Sequence, residues 1–261
     1  MRKRIANWKV KENITFNQSY CLLKLTSEDE PFPEFLPGQF VQVRIGHSES
    51  AFLRRPISVH YVDEKHGELW LLVQIVGTGT RYLSSLQPED SLNLIYPLGN
   101  GFSIPDQPDK GKKLLLIGGG IGSAPLLYLG TYLKERGFTP TFLLGARTER
   151  DLLQLKEFNK LGIVYITTES GSAGEKGYVV DHSLLRKRDA GFIYTCGPNL
   201  MMLSVARYAR ENGIPCEVSL ENRMACGIGA CLCCVERTIY GNTCVCTKGP
   251  VFNIDELTWQ I

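Results

Sequence analysis

The sequence predicts a protein in three parts: an antiparallel β barrel over residues 1–102, an α/β domain with a parallel sheet over 103–215, and a small cysteine-rich module over 216–261. Three observations carry this division. Short alternating apolar runs separated by turn residues fill the first part. From Leu114 strand-like and helix-like stretches alternate. Six of the nine cysteines then fall between Cys226 and Cys246.

In the first part, PGQFVQVRI (37–45), FLRRPISVHYV (52–62), ELWLLVQIV (68–76) and DSLNLIY (90–96) read as strands, with breaks such as PFPEFLPG and GTGT between them. The period of two and the absence of a long helical stretch point to a small antiparallel barrel. NGFSIPDQPDKGKK (100–113), loaded with glycine, proline and charge, reads as a linker.

In the second part, KLLLIG, TFLLGA, VYITTE and FIYTCG are short apolar strands. PLLYLGTYLKERG, LLQLKEFNKLG and NLMMLSVARYARENG have helical spacing, each closing on glycine as a helix end does. Strand–helix alternation at this spacing predicts a parallel sheet with helices on both faces. After Pro215 the chain is expected to leave this pattern for roughly 45 residues, too few to build a core of their own.

Bulk properties narrow the function. With 29 basic and 27 acidic residues the formal charge is +2, which argues against a nucleic-acid binder that relies on a basic face. The N-terminal MRKRIANWKVKENITF has no apolar segment behind its charges, so no signal peptide is expected. The longest apolar run, LLLIGGGIGSAPLLYL (114–129), is broken by glycines and shorter than the ~20 residues of a membrane span. Cysteines in a mid-sized chain of this kind read as reduced thiols or metal ligands, so a cytoplasmic protein is expected.

GGGIGSAP (118–125) follows a strand and opens a helix. Backbone N–H groups in such a turn, backed by the helix N-terminus, favour an anionic phosphate. Ser123 stands where the third glycine of a G-x-G-x-x-G would be, and a tight turn that only packs strand on helix is the competing reading. In the third part Cys226-x4-Cys231-x2-Cys234 has the spacing of a plant-type [2Fe–2S] site, which needs one distant fourth cysteine. Cys246, after eleven intervening residues, supplies it. Gly227 and Gly229 let the loop wrap closely around a cluster and aim amides at its sulfurs. Zinc is the rival, although zinc loops usually pair two short knuckles. Cys233 and Cys244 are left over; in an extended segment Cys244 and Cys246 would point the same way.

Taken in order, LRRPIS (53–58), GTGT (77–80), PLGNGF (97–102), the glycine turn, GAR (145–147) and TCGPNLMM (195–202) resemble the ferredoxin-reductase family of flavoproteins. The resemblance implies that Arg55, Pro56, Ile57 and Ser58 hold FAD, with Leu72, Val73 and Gln74 beside it and Gly79 and Thr80 adding phosphate contacts. Members of the family often carry a basic residue where Gln74 stands. It further implies that Gly118, Gly119, Gly120 and Gly122 face the pyrophosphate of NAD, with Cys196, Gly197 and Pro198 at its nicotinamide end. Cys196 reads equally as a buried small hydrophobe, and Arg147 and Arg150 as surface charges rather than a site for a 2′-phosphate. His47, His60, His66 and His182 are scattered and read as structural or surface groups.

RMACGIGAC and the terminal CTKGPVF, directly after the nucleotide domain, resemble the electron-transfer subunits of class 1B dihydroorotate dehydrogenase over the whole chain. That likeness implies Cys226, Cys231, Cys234 and Cys246 as [2Fe–2S] ligands, NAD as electron acceptor and a role in pyrimidine (UMP) biosynthesis. It implies an FMN-containing catalytic subunit as partner, in a heterotetramer of two of each, with no nucleic acid and no membrane involved. Two other readings share features of the chain: a subunit of a ferredoxin–NADP transhydrogenase or sulfur-reducing complex, and a non-catalytic flavin module with a zinc staple.

Overall fold

The protein is described here by a computed structural model covering residues 2–27, 32–46, 51–106 and 113–260. His47 and residues 107–112 of the expected linker lie outside these described residues.

Among the described residues the first sheet has seven strands: β1 (Arg4–Asn17), β2 (Tyr20–Thr26), β3 (Phe40–Val43), β4 (Arg55–Ser58), β5 (Tyr61–Asp63), β6 (Glu68–Gln74) and, after helix α1 (Thr78–Ser85), β7 (Ser91–Leu98). They pair antiparallel in the order β4-β3-β7-β1-β2-β6-β5. β4 and β5 lie at opposite ends of this order yet follow each other in the chain, so the sheet has to curl upon itself. The closure falls at Val59 and His60, whose amides donate to Gln39 O on one side (2.9 Å) and Trp70 O on the other (3.0 Å). Alternate residues point inward, among them Trp8, Val10, Val41, Val43, Leu69, Leu71 and Val73, and fill the barrel.

Three details depart from the sequence reading. The stretch 52–62 is two strands, because His60 turns inward and spans Ala124 O (Nδ1, 2.7 Å) and the Gln154 side chain. GTGT is the start of α1 instead of a break. The Thr80 hydroxyl accepts from the Val76 and Gly77 amides (2.9 and 3.1 Å), capping a helix whose glycines conceal it. The first 27 residues, where no strand was expected, supply the central hairpin β1–β2; lysines flanking Trp8 and Val10 hide its apolar face.

The second sheet comprises β8 (Lys113–Gly119), β9 (Thr141–Ala146), β10 (Ile163–Thr168), β11 (Glu175–Lys176), β12 (Ala190–Cys196) and β13 (Cys216–Ser219), all parallel. Helices α2 (Ala124–Glu135), α3 (Leu155–Leu161) and α4 (Asn199–Glu211) cover it. The central strands β8, β9 and β12 are largely apolar because both faces are covered, whereas the edge strand β11 is Glu175–Lys176. Leu116, Phe142, Leu144 and Tyr194 pack with α2 and α3, and Leu115, Ile117, Leu143, Ile193 and Val218 pack with α4.

The pattern does not stop at Pro215. β13 extends the sheet, and after the hairpin β14 (Val235–Thr238) and β15 (Gly241–Cys244) and the helical turn α5 (Val245–Lys248), strand β16 (Val251–Asn253) returns antiparallel beside β13. Cys234, Val245, Cys246, Phe252, Ile254 and Leu257 are buried in the same apolar cluster as β8, β12 and α4. The cysteine segment, too short to fold alone, shares the core of the α/β sheet.

That sharing is testable. Phe252→Ala removes a buried ring that faces the sheet, at an expected cost of about 3–5 kcal/mol. Denaturant unfolding followed by circular dichroism should shift as a whole. A mutant that loosened only the C-terminal segment would leave the main transition in place.

Candidate functional site

The parallel sheet changes direction at β8: the chain passes from β8 to β9 on one side and reaches β12 on the other. Ligands of such sheets bind in the crevice beyond the strand ends at this point. Here the crevice lies between the glycine turn and the segment Cys196–Gly197–Pro198. A Cβ on Gly122 would lie 2.4 Å from Gly197 Cα and 2.5 Å from Cys196 O, and one on Gly119 would lie 2.3 Å from Met201 Sδ. Gly120 has φ +54° and open space around it. Ser123, in place of a third glycine, donates to Gly120 O (2.9 Å) and closes a 3₁₀ turn before α2. The predicted residues of both segments are thus brought together, leaving the turn's backbone bare.

Beside the crevice a cleft of about 220 Å³ is walled by all three parts of the chain. Pro56, Ile57 and Ser58 come from β4, Leu72 and Gln74 from β6, and Ile121 and Ala124 from the glycine turn. The fourth wall is Ser219–Asn222 with Met224, the segment between β13 and the cysteine loop. Val73, predicted alongside Leu72 and Gln74, points instead into the barrel core and is fully buried; alternation along β6 places it there. Arg55 is half-buried, and its guanidinium lies against Gly79, where a Cβ would sit 2.9 Å from Nε. Any side chain at residue 79 would push the arginine aside. Thr80 is spent on the cap of α1, so it shapes this corner through the loop.

The neighbouring Arg54 is structural, donating to Gln42 O and Asn93 O (3.1 Å each). Burial holds its guanidinium below the usual range, helped by the charge of Arg44. Cys196 is 1% exposed, and its thiol donates to Glu221 Oε1 at 3.8 Å. Burial and then the Glu221 charge push this thiol well up, and burial pushes the Glu221 carboxyl up. The described histidines are scaffold groups: His60 joins barrel to α2, His66 pairs with Asp63 on the surface, and His182 accepts from Leu184 N.

The segment LENRM (220–224) carries the cleft residues Leu220, Glu221, Asn222 and Met224, for which no role was foreseen. Its overlap with the start of RMACGIGAC at Arg223 and Met224 was the available signal.

The four predicted cysteines gather at the loop, in two pairs. The Cys226 sulfur accepts N–H groups from Ile228, Ala230 and Cys231 at 3.5, 3.3 and 3.4 Å. Burial pulls its thiol up, but these amides and the Cys231 thiol outweigh it and hold Cys226 down at about 6. Cys246 is 1% exposed, and its amide donates to Cys234 Sγ at 3.4 Å; burial first, then Cys234, push its thiol up to about 12. Cys244 ends β15 while Cys246 sits in α5, so the chain between them is not extended as expected. Cys233 is exposed. Among the described residues no three His, Cys, Asp or Glu side chains converge on one ion position. Two thiol pairs in an amide-lined loop suit the four-thiolate donor set of a two-iron cluster, two sulfurs to each iron.

Fold and site together define a ferredoxin-reductase-like flavoprotein with an added iron–sulfur segment. Residues 6–102 match the oxidoreductase FAD-binding domain and 116–207 the oxidoreductase NAD-binding domain. Residues 221–258 match the iron–sulfur cluster binding domain of dihydroorotate dehydrogenase B. The electron transfer subunit of dihydroorotate dehydrogenase B (NAD(+)) from Desulforamulus reducens is 40% identical over 234 residues, 86% of this chain and 87% of that protein. The subunit of the same name from Listeria innocua is 38% identical, covering 90% and 92%. A structure reported for flavin-based electron bifurcation by an NADH-dependent reduced ferredoxin-NADP oxidoreductase superimposes with a TM-score of 0.85 at 31% identity, covering 97% of this chain and 90% of that one. The ferredoxin reductase of carbazole 1,9a-dioxygenase (TM-score 0.69, 22% identity, 82% of this chain and 68% of that one) shares the fold. The chain belongs to the family of dihydroorotate dehydrogenase B electron transfer subunits. No helix among the described residues is long and apolar enough to cross a membrane.

Three measurements test this geometry. Gly122→Ala, blocked by backbone, should weaken NADH binding at least tenfold or prevent folding. Gly120→Ala meets open space and should cost only about 1–2 kcal/mol of stability, for its positive φ. In metal-free protein, alkylation of Cys226 followed by mass spectrometry should rise with a midpoint near pH 6, while Cys246 stays unmodified at neutral pH.

Proposed function

We propose that this chain is the electron-transfer subunit of an NAD-dependent dihydroorotate dehydrogenase in pyrimidine biosynthesis, a cytoplasmic protein paired with an FMN-containing catalytic subunit. The proposed complex holds two copies of each. One observation carries the reading: the cleft is walled at once by the barrel, by the glycine turn and by the segment that leads into the cysteine loop. Sites for the flavin, the nicotinamide nucleotide and the cluster therefore adjoin within one chain, divided as 1–102, 103–215 and 216–261.

Each residue has a defined task in this reading. Arg55 supplies a planar cation for the flavin pyrophosphate, kept in place by the bare Gly79. Ser58 and Gln74 offer polar groups, and Ile57 and Leu72 apolar ones, to the rest of the flavin. Gln74 brings hydrogen bonds without charge, which leaves Arg55 as the cation of this group. Gly118–Gly122 and Cys196–Pro198 form the nucleotide crevice. Buried Cys196, bonded to Glu221, stays a neutral thiol at the nicotinamide end. Cys226, Cys231, Cys234 and Cys246 hold a [2Fe–2S] cluster, and the amides around Cys226 favour the thiolate form that ligation requires. A flavin bound in the cleft supplies conversion between the two-electron chemistry of nicotinamide and the one-electron chemistry of the cluster.

The catalytic partner is proposed to cover the cysteine loop and the β14–β15 hairpin. Ile228, Leu232, Val235, Ile239 and Tyr240 expose apolar surface there, with Leu232 64% and Tyr240 80% exposed. A second reading, as the corresponding subunit of a ferredoxin–NADP transhydrogenase, is supported by the 31% identity and 0.85 TM-score already given. The match of 221–258 to the dihydroorotate dehydrogenase B cluster domain favours the first.

The test is visible absorption and low-temperature EPR of anaerobically purified protein before and after NADH. Flavin bleaching with a rhombic signal near the free-electron g value is expected. Bleaching without a signal would leave a plain flavin reductase. Cys231→Ala should lose the cluster and partner-coupled turnover while retaining FAD, and the subunit that co-purifies separates the two readings.

A further inference from the structure

Gln42 is a fully buried side chain on β3, and neither its Nε2 nor its Oε1 has a hydrogen-bond partner among the described residues. Its neighbours show where it is aimed. Val41 and Val43 point into the barrel, so Gln42 points out of it. Across the sheet it pairs with Pro56, which lines the cleft. Above it lies Gly227, next to Cys226: a Cβ on Gly227 would come within 2.4 Å of Gln42 Cγ and 2.7 Å of Nε2. Gly227 has φ +71°. The absence of a side chain there lets the carboxamide reach the cysteine loop. A buried amide left without partners is destabilising unless something in the working protein satisfies it. The sequence flags none of this, since Gln42 lies far from the cysteines and within an ordinary strand.

The geometry points to Gln42 as a positioning residue whose carboxamide donates from Nε2 to a sulfur of the iron–sulfur group held by the cysteine loop, coupling the flavin sheet to that loop and setting the ease with which the group is reduced. The proposal rests on the assignment of Cys226, Cys231, Cys234 and Cys246 as ligands. An N–H donor to sulfur stabilises the more negative, reduced form over the oxidised one, and such outer hydrogen bonds are a known means of tuning potential. Loss of the donor should therefore make reduction harder.

The experiment is an EPR-monitored redox titration of anaerobically purified wild-type, Gln42→Met and Gln42→Leu holoprotein, with iron and FAD content measured alongside. Met keeps the unbranched length, and Leu serves if Met does not fold. Both should keep iron and FAD, change the g values and take up the electron about tenfold less favourably, which for one electron is about 59 mV to the negative side. A variant that keeps its iron with unchanged midpoint and g values, and differs only in thermal midpoint, would make Gln42 a packing residue and overturn the inference alone. Wild-type protein without iron, or Cys231→Ala that retains it, would overturn the ligand assignment and the inference together.

Discussion

The architecture depends on one return of the chain, Lys248 to Asn253, which lies where barrel, sheet and cysteine loop meet. The Asn100 amide donates to Gly249 O (2.6 Å) and its side chain to Lys248 O (2.8 Å), which ties the end of the barrel to this return. Val251 and Phe252 pair with Ser219 and Val218 at the edge of the parallel sheet. Two residues before this return begins at Lys248, Cys246 is anchored in the shared core. Gly99 and Gly249 allow the approach, since a Cβ on either would strike Pro250 or the Phe252 ring within 2.5 Å. Backbone bonds and close-packed glycines hold a fixed spacing, so the cleft, the crevice and the thiols keep their relative positions.

That rigidity suits electron transfer, in which the protein's work is to position carriers and tune them. Most groups around the sites serve this end without acid–base chemistry. Amide N–H groups converge on Cys226, Arg55 is seated against a glycine, and His60 clamps the barrel to the start of α2 from a position where burial favours its neutral form. Among the described residues the polar side-chain atoms buried without partners are few, and two of them belong to Gln42, which lies against Gly227 of the cysteine loop.

Much of the fold was legible in the sequence for local reasons. TFLLGA coincides with β9, and the second-domain helices fall where their spacing puts them, because strands buried on both faces and amphipathic helices leave strong patterns. The barrel was harder to read. Trp8 and Val10 alternate with lysines, α1 opens on Gly-Thr-Gly-Thr, and the inward turn of His60 splits a run that reads as continuous. Long-range contacts decide the hairpin and the turn at His60, whereas α1 is set by the local Thr80 cap that its glycines conceal.

The sequence by itself determined the cysteine spacing and the glycine turn, which follow from residue type and short-range spacing, and the order of FAD-binding, NAD-binding and iron–sulfur parts; Arg55 stood out only through the resemblance of its strand to the ferredoxin-reductase family. Only the tertiary structure decided which surfaces share a cavity. That Ser219–Met224 walls the same cleft as Pro56 and Gln74, that the cysteine segment is sealed into the α/β core, and that Gln42 meets Gly227 are contacts between residues far apart in the chain. Such contacts are set by how strands pair and how glycines let backbones approach, and a linear pattern with a period of two or 3.6 carries no record of them.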